Sequence, residues 1–91
     1  MKTKRIRTNM NDINLIKQFV NINTNHSNCL ILAKSSYFTV SGNSILGMLS
    51  LDLSNDITIE IRSREDKYVE DIIKDYKKIK LPILEIPILE I

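Results

Sequence analysis

Ile57-Thr58-Ile59-Glu60-Ile61-Arg62 alternates apolar and polar residues without an error. A period of two puts the three isoleucines on one side of an extended chain and the polar residues on the other, the pattern of a strand buried on one face. Just downstream, Val69, Ile72, Ile73, Tyr76 and Ile79 recur at helical spacing, which predicts an amphipathic helix. Ser63 with Asp66 three residues on reads as a capping-box variant at its start. Acidic Glu65 and Asp66 begin this helix and Lys74, Lys77 and Lys78 finish it, as the helix dipole favours, and Pro82 marks its end.

Upstream of the strand, Ser54-Asn55-Asp56 is turn chemistry, preceded by a short helix from Ser44 to about Leu51 with apolar Ile45, Leu46, Met48 and Leu49. Ser41-Gly42-Asn43 leads into that helix. Cys29 to Lys34 is a nearly continuous apolar run of strand length, and Ser35-Ser36 permits a hairpin return through Tyr37, Phe38, Thr39 and Val40. Before the polar turn at residues 24–28, Ile13, Ile16 and Val20 form one apolar row and Leu15, Phe19 and Ile22 the next, predicting a helix from Ile13 to about Asn23 with Asp12 as N-cap. Lys2 to Thr8 reads as an edge strand. The order is β-α-β-β-α-β-α, an α+β fold. A four-stranded antiparallel sheet with three helices on one face accommodates the single apolar stripe of each helix, and leaves the other face to water.

The chain has 91 residues, 43% hydrophobic and 26% charged, an ordinary composition for one folded domain. Its net charge of +2, with 13 basic and 11 acidic residues spread along the chain, is a weak pointer to a polyanionic partner, and nucleic acid is not expected. The lone Cys29 has no second cysteine for an internal disulfide, the charged start lacks the apolar run of a secretion signal, and no stretch approaches the ~20 apolar residues that span a bilayer. A cytoplasmic protein without membrane insertion is expected. Residues 1–80 read as the domain. Residues 81–91 are an apolar tail holding two copies of Pro-Ile-Leu-Glu-Ile. Proline every fifth residue disfavours helix, so the tail is extended: packed along its own domain, docked on another chain in self-association, or exposed as a sticky surface.

The stretch Asn43-Ser44-Ile45-Leu46-Gly47-Met48-Leu49-Ser50-Leu51 resembles the short central helix of the HPr family, the histidine-containing phosphocarriers of the bacterial phosphoenolpyruvate:sugar phosphotransferase system, which typically reads Lys-Ser-Ile-Met-Gly-Val-Met-Ser-Leu. The order of elements is similar to the family's open-faced β-sandwich, over about residues 2–80. The resemblance implies a role in sugar transport or its regulation.

In that family a Gly-X-His-X-Arg-Pro motif follows the first strand, and the histidine accepts phosphate from enzyme I at the start of the first helix. Aligned without gaps, the histidine position falls on Asp12, the arginine position on Asn14 and the proline on Leu15. The resemblance therefore implies a member unable to carry phosphate on histidine: not an enzyme, without catalytic residues, but a regulatory, protein-binding domain. Its partners would be proteins of the phosphotransferase system or that system's serine kinase.

Two alternatives stand beside this reading. One is an active phosphocarrier using Asp12, against which an aspartyl phosphate ordinarily needs a divalent metal held by further carboxylates, and Asp12 has only asparagines nearby. The other is a small RNA-binding α/β module, against which there is no Gly-X-X-Gly clamp and no aromatic pair on a strand.

Ser44 matches the serine phosphorylated in many family members of Gram-positive bacteria, and equally suits a local helix cap. Ile45, Leu46 and Leu49 correspond to the family's partner-docking patch, and equally suit a core. His26, the single histidine, lies in a polar turn and is expected on the surface; Cys29 begins an apolar strand and is expected as a small buried hydrophobe. No zinc-ligand spacing, phosphate loop or dinucleotide motif is present, and no cofactor or metal is implied.

Overall fold

In a computed structural model of the chain, which describes residues 2–85, the alternating stretch forms the central strand of a sheet. The elements run β1 (Lys2–Thr8), α1 (Ile13–Asn25), β2 (Cys29–Lys34), β3 (Thr39–Ser41), α2 (Ile45–Leu49), β4 (Ile57–Ser63), α3 (Asp66–Lys78) and β5 (Leu84–Glu85). The expected α+β order is observed. The sheet is antiparallel throughout, in the order β3-β2-β4-β1-β5. Ile59 of β4 faces Ile6 of β1 on one side and Ala33 of β2 on the other. Cross-strand partners share a face, so this register stacks Ile57, Ile59 and Ile61 with Ile6, Ile31 and Ala33 on the buried side.

Three helices cover that side. Ile16, Phe19 and Val20 of α1, Met48 of α2, and Val69, Ile72 and Tyr76 of α3 complete the core, joined by Met10 from the β1–α1 loop. The rings of Phe19 and Tyr76 meet at 5.1 Å between centroids. Among the described residues no helix is long and apolar enough to cross a membrane.

Four local expectations are corrected. Ser63 does not cap α3; it is still part of β4, pairs with Lys2 and Cys29, and its hydroxyl donates to the Asn28 carbonyl at 2.8 Å. Glu65 takes the N-cap position instead, without a side-chain hydrogen bond. The hairpin return begins at Thr39 rather than Tyr37, because the Ser35 N–H donates to the Phe38 carbonyl at 2.9 Å and closes residues 35–38 as a loop. The central helix is one residue shorter at its start and two at its end, with Ser44 as cap.

The fourth is the edge position of β1, which the start of the tail covers over two residues. This part of the tail joins the domain: Leu81 is buried, Ile83 packs against the core, and Leu84 and Glu85 pair with Arg7 and Ile6 as a fifth strand, so β1 is not the sheet edge there. Ile86, which ends the first Pro-Ile-Leu-Glu-Ile copy, and the whole second copy at residues 87–91 lie outside the described residues. The turn into this strand is made by Lys80, whose φ of 58° is left-handed. The Lys80 N–H reaches the Lys77 carbonyl at 3.0 Å and the Leu81 N–H the Tyr76 carbonyl at 3.1 Å, the paired bonds of a Schellman ending with lysine in the place glycine usually takes.

Candidate functional site

Asp12 closes the N-terminus of α1. Its Oδ1 accepts from the Asn14 N–H at 2.9 Å and its carbonyl from the Ile16 N–H at 3.1 Å. Asp12 and Asn14 are both exposed. Among the described residues no group of three or more His, Cys, Asp or Glu side chains is placed to hold a metal ion. What the geometry gives Asp12 is the role of a cap, one carboxylate oxygen being committed to the first turn.

α2 is capped in the same way by Ser44, whose Oγ accepts from the Gly47 N–H at 3.0 Å while its carbonyl accepts from Met48 at 2.9 Å. Glycine at 47 suits this: a Cβ there would lie 3.2 Å from Ser44 Oγ and 3.3 Å from the Val40 Cβ. Met48 is the one residue of α2 that enters the core. Ile45 and Leu49 are two-fifths exposed and Leu46 is 84% exposed, so the three residues read as either docking patch or core stand outward, next to the Ser44 hydroxyl.

Sequence reasoning missed a second exposed apolar group. Tyr37 and Phe38, assigned to a strand, sit in the 35–38 loop at 92% and 63% exposure. They meet the C-terminal end of α2 across an open hollow whose walls include Ser36, Ser50, Leu51 and Asp56. Asn9 of the β1–α1 loop donates to Asp56 at 3.3 Å. The loop that leads to Asp12, the aromatic hairpin tip and the end of α2 therefore converge at one end of the sheet. The available signal was Ser35-Ser36, since a loop of four residues rather than two moves both aromatics out of the ladder.

Asp52, beside the hollow, accepts from the Ser54 hydroxyl at 2.5 Å and backbone N–H at 3.2 Å and from Asn55 at 3.1 Å, and these hydrogen bonds, those from Ser54 foremost, hold its carboxyl below the ordinary value.

The two remaining candidate residues lie elsewhere. His26 follows α1 at the end opposite Asp12, about 20 Å along a helix of this length. It is not a free surface residue: its Nε2 lies 2.7 Å from Asp75 Oδ2, with both side chains partly buried. The hydrogen bond with His26 foremost, joined by the smaller effects of the Lys78 hydrogen bond and charge, outweighs partial burial and holds the Asp75 carboxyl below its usual range. Cys29 is buried, its Sγ donates to the Tyr68 carbonyl at 3.5 Å, and burial pushes its thiol up despite Ser63. A protonated thiol under a helix is a packing group.

No protein-family model matches the chain, and no curated protein matches it.

Proposed function

We propose that this chain is an HPr-like protein of a bacterial phosphotransferase system, cytoplasmic, that carries no phosphate on histidine and acts as a regulatory, protein-binding domain. The observation that supports it best is the outward set of Ile45, Leu46 and Leu49 on α2, a helix that lends only Met48 to the core. Exposed aliphatic side chains on one short helix form a surface that gains by being covered. The residue pattern of 43–51 and the order of elements support the family reading, and Asp12 and Asn14, occupied as cap and capped residue, support a domain that binds without phosphoryl transfer.

The test uses the full chain with enzyme I, phosphoenolpyruvate and the family's serine kinase. Acid-labile phosphate is expected to stay absent from the chain, and enzyme I or the kinase is expected to bind it with an affinity that Leu46→Lys reduces at least roughly tenfold. Stoichiometric labelling in the 9–14 loop would instead establish a phosphocarrier using Asp12. Absence of binding to both proteins, or binding indifferent to Leu46→Lys, overturns the proposal.

A further inference from the structure

The helix-free face of the sheet carries charge of mainly one sign. The register sets Arg5 of β1 opposite Glu60 of β4 and Arg7 opposite Thr58, with Arg62 two residues along β4 from Glu60. Glu60 has no exposed surface. Its Oε1 receives Arg5 Nε and Nη2, each at 2.9 Å, and its Oε2 lies 2.7 Å from Arg62 Nη2 and 3.4 Å from Lys34 Nζ. Burial acts to raise the pKa of this carboxyl, and the charges of Lys34, Arg62 and Arg5 overcome it, so the group is held ionised.

One buried carboxylate therefore underlies three cations whose side chains stay between a third and three-fifths exposed. Arg7, also exposed, adds a fourth. Glu60 is the only acidic residue that the register puts on this face among the described side chains. It cannot neutralise the cations above it. It fixes the guanidinium groups of Arg5 and Arg62 in place, which lowers the conformational cost of presenting them to an anion.

The cations are interleaved with aliphatic surface. Leu30, opposite Arg62, is 51% exposed, and Leu84, opposite Arg7, is 57% exposed. This separates two kinds of anionic polymer. Proteins that hold single-stranded nucleic acid pair a cationic groove with aromatic rings on which bases stack, and the described strands present no aromatic side chain on this face. An acidic segment of a protein supplies both carboxylates for the arginines and aliphatic groups for the leucines. We propose that the open face of the sheet is a docking surface for an acidic, leucine-rich protein segment, distinct from the α2 surface.

The probe is a fluorescein-labelled peptide of alternating Leu and Glu, titrated with the full chain and followed by anisotropy. Binding is expected at low ionic strength and should weaken as salt rises. Arg7→Glu, which leaves the Glu60 cluster intact, and Leu30→Ser should each weaken it by roughly tenfold or more while the circular dichroism spectrum stays unchanged. Leu46→Lys, which tests the α2 surface, should leave it unaltered, so the two proposals fail separately. No binding at low salt, binding that survives Arg7→Glu or Leu30→Ser, or binding of oligouridylate in place of the peptide overturns the proposal.

Discussion

The Tyr76 hydroxyl donates to Asn23 Oδ1 at 2.5 Å, and the Asn23 amide passes the connection on, its Nδ2 donating to the Gly42 carbonyl at 2.8 Å. All three groups lie in the interior, so α3, α1 and the turn before α2 are tied by a polar chain inside an apolar core. Removing one member leaves buried partners unsatisfied. Tyr76→Phe is expected to cost about 1–2 kcal/mol and Asn23→Leu about 2–4 kcal/mol, because the second strands both the phenol and the carbonyl. Urea denaturation of the single variants and the double variant checks this: the double should cost clearly less than the sum. Gly42→Ala should be similarly harmful, since its Cβ would lie 2.5 Å from Ile31 Cγ2 and 3.0 Å from Asn23 Nδ2.

Glu60 and Asp75 contribute to the acid limb of stability, beside the exposed Asp52. Both carboxyls are held below their ordinary values of 4.5 and 3.8. A depressed folded-state pKa means the unfolded chain binds the proton more readily, so the stability these groups contribute is complete above the ordinary value and is lost as pH falls through the folded one. Thermal melts are expected to hold steady above about pH 5 and to decline below it. Glu60→Gln should flatten that decline and lower stability at neutral pH by about 1–3 kcal/mol, because three cations lose the buried negative charge they share. An unchanged acid limb in Glu60→Gln would remove Glu60 from this account.

Ser44 is exposed to a direct check. With the family's serine kinase and ATP, mass spectrometry of the full chain should find phosphate on Ser44 and none in Ser44→Ala. Modification confined to Ser50 would reject the assignment. The same substitution removes the Gly47 N–H acceptor and should cost about 1 kcal/mol in denaturation.

Lys80 offers the opposite sign. A lysine at φ 58° sits where only glycine is unstrained, so Lys80→Gly should raise stability by about 0.5–1 kcal/mol, the relief of left-handed strain exceeding the added entropy of the unfolded chain. A lower melting temperature in this variant would contradict the Schellman ending.

What the sequence made legible was local and periodic. The three inward isoleucines of β4, the two long helices and the cap at Asp12 each follow from neighbours a few residues apart. What it hid depends on register or distant partners. Ser63 has the chemistry of a cap, and only its pairing with Lys2 and Cys29 keeps it in the strand. Asn23 is an unremarkable polar residue until Tyr76, 53 positions away, is laid against it. The ionic cluster at Glu60 draws on three strands, and no spacing within one strand announces it. On the candidate site, the α2 residues were read in place while their outward direction stayed undecided, because a helix of five residues is too short for periodicity to separate core from surface.

The tail yields a graded prediction. Leu81 is buried at 4% exposure with its N–H on the Tyr76 carbonyl, and Leu84 and Glu85 pair with β1. Cutting after Lys80 deletes that leucine and uncovers one side of β1, whereas cutting after Glu85 removes neither contact. Loss of a buried leucine costs about 2–5 kcal/mol, and in a domain of this size each kcal/mol shifts the melting temperature by roughly 4–8 °C. The chain ending at Lys80 is expected to fold, because its helices and four strands remain, and to melt well over 8 °C lower. Leu81→Ala in the full chain should reproduce most of the loss, which assigns the effect to packing rather than to strand pairing. If cutting after Lys80 leaves the melting temperature unchanged, residues 81–85 contribute no stability to this sheet; if Leu81→Ala is neutral while the truncation is costly, the pairing of β5 with β1 carries it instead.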